Sequence, residues 1–113
     1  MTDSCNAANS KAFSSSKIDL EQEQQLASLS KALSHPARIR ILKILFTLDK
    51  LGGCLNSDLV SELGLAQSTV SEHLRILKQA GLITAEPIPP KMCYRINQQG
   101  LAGFKHLFTD IFS

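Results

Sequence analysis

The sequence predicts a mainly α domain that carries one small β-hairpin, and three observations lead there. Aliphatic residues recur at helical spacing in two early blocks, Leu26/Leu29/Leu33 and Ile39 through Leu48. Residues 56–79 read as a helix, a tight turn at Gly64 and a second helix with aliphatics on one face and small polar residues on the other. Two short extended runs, Leu82–Pro87 and Lys91–Ile96, then flank Ile88-Pro89-Pro90. A helix-turn-helix followed by a two-stranded wing is a winged helix-turn-helix.

Taken in order, residues 1–17 are rich in Ser, Asn, Ala and Lys and lack periodicity, so they read as a flexible tail, with residues 18–113 as the folded domain. A helix is expected from Asp19, with Asp19 as its cap and Glu21 and Glu23 favouring its N-terminal dipole. Ser34-His-Pro36 closes it, and Ser34 suits the cap of the next helix, with Pro36 in the first turn. That next helix, through Ile39, Ile41, Leu42, Ile44, Leu45 and Leu48, is apolar nearly all round and is expected at the centre of the core. Leu51-Gly-Gly-Cys-Leu55 reads as a loop with a brief strand. Asn56 or Ser57 is the expected cap of the helix that Gly64 ends, and the following helix should run from near Ala66 to a C′ glycine at Gly81. After the hairpin, a last helix puts Leu101, Phe104, Phe108 and Ile111 on one stripe.

On a helical wheel for residues 67–79, Val70, Leu74 and Leu77 cluster and bury. Ser68, Ser71, Glu72, Arg75 and Gln79 lie opposite, with Gln67 and Lys78 on the flanks. One side anchors in a core, and the other enters a major groove without bulk. Gln67, Ser68, Thr69 and Ser71 are the candidate base readers, since Gln pairs bidentately with adenine and Ser contacts bases or phosphates. Arg75 and Lys78 are expected on phosphate, with Arg75 able to reach guanine. In the wing, Lys91 and Arg95 are expected at the backbone or minor groove. A solvated amphipathic helix is the plainer alternative, which the preceding helix, the turn and the wing together disfavour. His73 falls at the core border and reads as a packed, hydrogen-bonded histidine.

Bulk properties agree. At 113 residues and 43% hydrophobic content, one small domain with a thin core is expected. Net charge is +2, but residues 31–95 carry nine basic and five acidic side chains, a mildly basic middle whose charge doubles in a dimer facing DNA. The stripes Leu26/Leu29/Leu33 and Leu101/Phe104/Phe108/Ile111 cannot both find cover in so small a monomer, so they are the expected homodimer interface. No apolar run is long enough to span a bilayer and no secretory h-region stands at the N-terminus, so a cytoplasmic location with reduced cysteines is expected. No phosphate-binding glycine loop or Ser-His-Asp or Cys-His context appears, and Ser71 and His73 point about 200° apart on one helix. An enzyme is not expected. A protein-interaction module is the other alternative, against which the small-polar face argues.

The chain resembles the ArsR/SmtB family of winged-helix bacterial repressors. The resemblance is carried by Ala32-Leu-Ser-His-Pro-Ala-Arg-Ile-Arg-Ile-Leu42, Asp58-Leu-Val-Ser-Glu-Leu63, residues 67–83 (Gln-Ser-Thr-Val-Ser-Glu-His-Leu-Arg-Ile-Leu-Lys-Gln-Ala-Gly-Leu-Ile) and Tyr94-Arg-Ile-Asn97. It implies a homodimer that binds double-stranded operator DNA and is released by a metal, metalloid, oxidant or reactive sulfur species. For the family's zinc-type site only His106 and Asp110 are candidates, so that site is not expected. The cadmium/lead type needs a Cys-x-Cys where Cys54 is followed by Asn56, and paired tail cysteines where only Cys5 stands. There remain Cys5, Cys54 and Cys93, which suit trivalent arsenic or antimony, as in the arsenic-sensing branch. Winged helices usually pair the short strand before the helix-turn-helix with the second wing strand, so Leu55 and Tyr94 or Ile96 should face the core. Cys54 and Cys93 should then share the outer face, with Cys5 completing the site from either subunit. A thiol switch, in which Cys54 and Cys93 form a disulfide or polysulfide, is the competing reading.

Overall fold

The structure, a computed structural model, describes residues 2–55 and 59–113, with side chains from Cys5 onward. Helix α1 (Thr2–Phe13) is followed by α2 (Lys17–Ala32), α3 (Pro36–Lys50), α4 (Leu59–Leu63) and α5 (Gln67–Gln79). Strands β1 (Ile83–Ile88) and β2 (Lys91–Ile96) and helix α6 (Gln98–Phe112) complete the chain. Helix, helix-turn-helix and hairpin wing follow in the expected order. The expected cap at Asn56 or Ser57 lies outside the described residues.

The first difference from expectation is α1. The segment that reads as a structureless tail is helical over Thr2–Phe13. Ala7, Ala8, Lys11 and Ala12 are good helix formers. Without an apolar stripe, however, the helix has nothing to bury, and Cys5–Phe13 is exposed throughout. A second difference is where α2 starts. Ser16, not Asp19, is its cap. The Ser16 hydroxyl accepts from the Asp19 backbone N–H at 3.1 Å and the Asp19 carboxylate accepts from the Ser16 N–H at 3.0 Å, a reciprocal capping box. Those bonds hold the Asp19 carboxyl below its usual range. Third, α3 is capped by His35, whose Nδ1 accepts from the Ala37 N–H at 3.0 Å, with Pro36 at the first position. Ser34 is already committed, its hydroxyl donating to the Lys31 carbonyl at the end of α2.

The core is one cluster. Ile41, Leu42 and Leu45 of α3 meet Val70, Leu74 and Leu77 of α5, closed by Ala32, Leu55, Leu59, Leu82, Ile83 and Ile96. Helix α3 packs along β2, α5 against β1, and α2 against α6. Gly81 ends α5 with φ +75°, and the bonds Gly81 N–H to Lys78 O and Leu82 N–H to Leu77 O turn the chain straight into β1. Its carbonyl is covered by α6: a Cβ on Gly100 would lie 2.0 Å from Gly81 O, so only glycine lets α6 approach there. The wing is a two-stranded antiparallel sheet with Ile83 opposite Ile96 and Glu86 opposite Cys93. A single antiparallel bridge, Leu55 to Tyr94, ties the chain just ahead of the helix-turn-helix onto β2.

Leu77 has no exposed surface and lies beneath the outer face of α5. Leu77→Ala should cost about 2–5 kcal/mol of unfolding free energy in urea titrations. A cost below about 1 kcal/mol would show that the helix is not anchored as described.

Candidate nucleic-acid interface and cysteine pair

Helix α5 presents its two faces as its periodicity requires. Val70, His73, Leu74 and Leu77 are buried, while Gln67, Ser68, Thr69, Ser71, Glu72, Arg75, Lys78 and Gln79 are exposed. The candidate base readers therefore share one accessible surface. Gln67 donates to the Ser71 hydroxyl at 3.3 Å, so these two are already joined. Lys91 is exposed at the wing tip. Between wing and α5 runs a cleft of about 530 Å³ with Gln67, Ser71 and Lys91 at its polar edge and Leu55, Leu74 and Tyr94 among its apolar lining.

Two of the expected phosphate ligands are not free cations. Arg75 forks onto Glu72, its Nε donating to Oε2 at 2.9 Å and its Nη2 to Oε1, and its Nη1 donates to Gln79 Oε1 at 2.9 Å. The pairing raises the Arg75 pKa and lowers that of Glu72. Arg95 is half-buried and donates from Nη1 to the Gly53 carbonyl at 3.3 Å, across to the loop that carries Cys54. Both pairings need contacts distant in sequence or a particular rotamer, which a helical wheel does not contain.

His73 lies inside, as a packed histidine. It is 5% exposed, its Nδ1 accepts from Arg38 Nε at 3.1 Å, and its ring meets that of His35 at a centroid distance of 4.4 Å. Arg38 also donates to the carbonyls of Lys31 and Ala32 at the end of α2. One guanidinium thus joins α2, α3 and α5, an arrangement with no signal in the sequence. Nδ1 is the acceptor, so the proton sits on Nε2, which has no partner.

The cysteines divide. Cys54 and Cys93 are joined by a disulfide with a Cα–Cα distance of 5.8 Å. The Leu55–Tyr94 bridge is the expected pairing; its antiparallel register sets Cys54 opposite Arg95, and the sulfur link runs diagonally from Cys54 to Cys93. The expected outward placement is not observed: Cys93 is 1% exposed and belongs to the buried set, on a strand that packs along α3. Cys5 is free and exposed on α1. Among the described residues no three His, Cys, Asp or Glu side chains gather to hold a metal ion, so one chain does not assemble a three-thiolate site. His106 and Asp110 pair with each other at 3.3 Å on the exposed side of α6.

The expected dimer residues are partly used within the chain. Leu29, Leu33 and Leu101 pack against the core, and Leu26, Phe104 and Ile111 are half-buried. Phe108 is 52% exposed, and Phe112, Ile18 and Leu20, which the stripes do not include, are exposed as well.

Residues 35–85 match the family model described as "Bacterial regulatory protein, arsR family". The HTH-type regulator Rv0081 of Mycobacterium tuberculosis is 40% identical over 76 residues, covering 67% of this chain and 64% of that protein. The chain thus spans less than two thirds of that relative's length. Three solved structures are similar. The cadmium metal-sensor CmtR from M. tuberculosis is 40% identical, with a TM-score of 0.51, covering 69% of this chain and 76% of that one. A "possible transcriptional regulator for arsenical resistance" is 28% identical, with a TM-score of 0.64 and coverage of 76% and 85%. A homodimeric winged helix-turn-helix DNA-binding domain from Mycobacterium bovis, Mb0332, is 25% identical, with a TM-score of 0.62 and coverage of 88% and 88%. The fold and the helix-turn-helix define a winged helix-turn-helix domain. The chain belongs to the ArsR/SmtB family, whose named members here are regulators and not enzymes.

Burial lowers the His73 pKa from its ordinary 6.5, with the His35 and Arg38 charges adding to the effect and Glu72 opposing it. A depressed histidine leaves the folded state binding fewer protons than the unfolded one, so stability from this group is complete above pH 6.5 and falls as pH drops through the folded value. Unfolding free energy measured at pH 7.5 should exceed that at pH 5.5. His73→Gln, which still accepts from Arg38 but does not titrate, should flatten that slope. An unchanged slope would assign it to other groups.

Proposed function

We propose that this chain is an operator-binding repressor, acting in the cytoplasm as a homodimer, whose hold on DNA is set by the oxidation state of Cys54 and Cys93. The observation that carries the reading is the placement of the two cysteines with their Cα atoms 5.8 Å apart, a separation that a disulfide spans, and with no third ligand beside them among the described residues. Oxidation removes two protons and two electrons from the thiols, and a peroxide accepts them as its O–O bond breaks, hydrogen peroxide giving two waters and an organic peroxide an alcohol and a water. The bond forms between the segment entering the helix-turn-helix and the wing strand, so it acts on the two elements that must straddle the DNA. The reduced dimer holds the operator and the oxidised dimer releases it. Dimerisation is supported by exposed Phe108, Phe112, Ile18 and Leu20 and by the homodimeric relative. It sets two α5 helices about one DNA turn apart.

The second reading is release by trivalent arsenic or antimony bound to Cys54, Cys93 and Cys5. Its support is the arsenical-resistance neighbour, the thiophilic-ion sensor among the relatives, and the exposed position of Cys5. In this reading the third thiolate arrives from α1 of the same or the partner chain.

On promoter DNA, a mobility shift should be present in reductant and lost after peroxide or a polysulfide, and Cys54→Ser or Cys93→Ser should retain it in both. Oxidant-insensitive binding by the parent would overturn the switch. Arsenite in reductant separates the second reading, since release that disappears in Cys5→Ser requires the three-thiolate site. For the interface itself, Gln67→Ala or Ser71→Ala should cost roughly 1–3 kcal/mol of specific affinity. Lys91→Ala should instead weaken binding to all sequences and lower the salt slope by about 1 for each phosphate no longer neutralised. Parent-like binding by Gln67→Ala and Ser71→Ala together would mean that another face meets the DNA.

A further inference from the structure

Glu72 is the single carboxylate on α5, and it occupies an unexpected place for one. It lies in the N-terminal half of the helix, one turn beyond Ser68, at the middle of the exposed face. A carboxylate there faces a polyanion. Arg75 grips both of its oxygens and Gln79 grips Arg75, so the three side chains form one fixed unit along the outer stripe. Both charged partners remain about half exposed, at 53% each. The pair is therefore available to DNA and not sealed in the core.

The chemistry of the groove then limits what this unit does. An ionised carboxylate only accepts hydrogen bonds. Phosphates and the acceptor atoms N7 and O6 of guanine repel it. In the major groove the exocyclic amino group of cytosine is the donor that Glu and Asp accept from. Of the five N–H groups of Arg75, three are engaged within the unit, which leaves two for an acceptor such as guanine O6 or N7. A C·G base pair presents these groups side by side: a donor on one base and two acceptors on the other.

We propose that Glu72 is a specificity-determining residue that accepts from a cytosine amino group, with Arg75 as the residue that positions it and contacts the paired guanine. The inference rests on the reading of α5 as the operator-reading helix. It gives the outer face of α5 a division of labour. Lys78 at its rim binds phosphate, and the Glu72–Arg75 unit selects a base pair and rejects the others through an unpaired, desolvated carboxylate.

The test is selection from a randomised duplex library with the reduced full chain, parent against Glu72→Gln, Glu72→Ala and Arg75→Lys. The parent should enrich a C·G pair at one position in each half-site. Both Glu72 variants should lose that preference by roughly tenfold or more, with the other positions unchanged. Arg75→Lys keeps the charge but not the fork and should blunt the preference at the same position. Circular dichroism melts confirm that the variants fold, which surface changes should allow. Identical position weights for parent and Glu72→Gln would overturn the proposal. So would uniformly tighter binding to every sequence by Glu72→Gln, since Glu72 would then be only a repelling charge. A parent that enriches no sequence overturns the operator-binding reading itself, and this inference with it.

Discussion

The anchoring of one face of α5 is the constraint on which the rest of this small domain depends. Val70, Leu74 and Leu77 enter the same cluster as Ile41, Leu42 and Leu45 of α3. Each buried aliphatic side chain of this kind contributes about 1.5–3 kcal/mol. That is enough to hold a 13-residue helix that would be marginal alone. Arg38 adds direction to this non-directional grip. By bonding His73 and the last carbonyls of α2, it ties the rotation of α5 to the end of α2. The outer face of α5 is the consequence: once four positions are buried, the remaining ones have no choice of direction.

The second tie works on a different part of the chain. Leu55 pairs with Tyr94, and Cys54 with Cys93, so two successive residues ahead of the helix-turn-helix are fastened to two successive residues of the wing. The hydrogen-bonded tie does not depend on redox state, whereas the sulfur tie does. Reduction therefore leaves the wing in register and removes only the cross-link beside it. Arg95, bonded to Gly53, steadies the same loop from the strand.

Much of this is legible in the sequence, and the exceptions share a cause. The aliphatic period of α5, Gly64, Gly81 and the proline-bounded hairpin are local signals, and each marks the boundary or face it predicts. The caps fall one or a few positions from where composition puts them, because Ser16, Asp19, Ser34 and His35 all have capping chemistry. Which of them caps depends on which neighbour is already bonded: Ser34 is spent on Lys31, so His35 takes α3. Alternation places Cys54 and Cys93 on one face of the paired segments, a diagonal apart and not directly across, and carries no information on the packing of β2 against α3 that accompanies the burial of Cys93. The Arg38–His73 bond spans 35 residues and has no local signature. For α1, propensity without an apolar stripe reads equally as tail or as unpacked helix.

The arginines show how this surface is built. All four are engaged within the chain: Arg38 with His73, Arg40 within 3.7 Å of Glu62, Arg75 with Glu72, and Arg95 with Gly53. Arginine is the side chain whose planar fork suits bidentate recognition, and here those forks are held in place before DNA arrives. Beside the paired Arg75 and Glu72, the exposed cations on the candidate interface among the described residues are Lys78 and Lys91, whose compact ammonium groups attract phosphate without a preferred geometry. With a net charge of only +2 per chain, the non-specific pull on DNA is modest. Such a protein gains its discrimination from oriented polar groups and not from bulk charge. The cost of orienting those groups is met in folding rather than in binding.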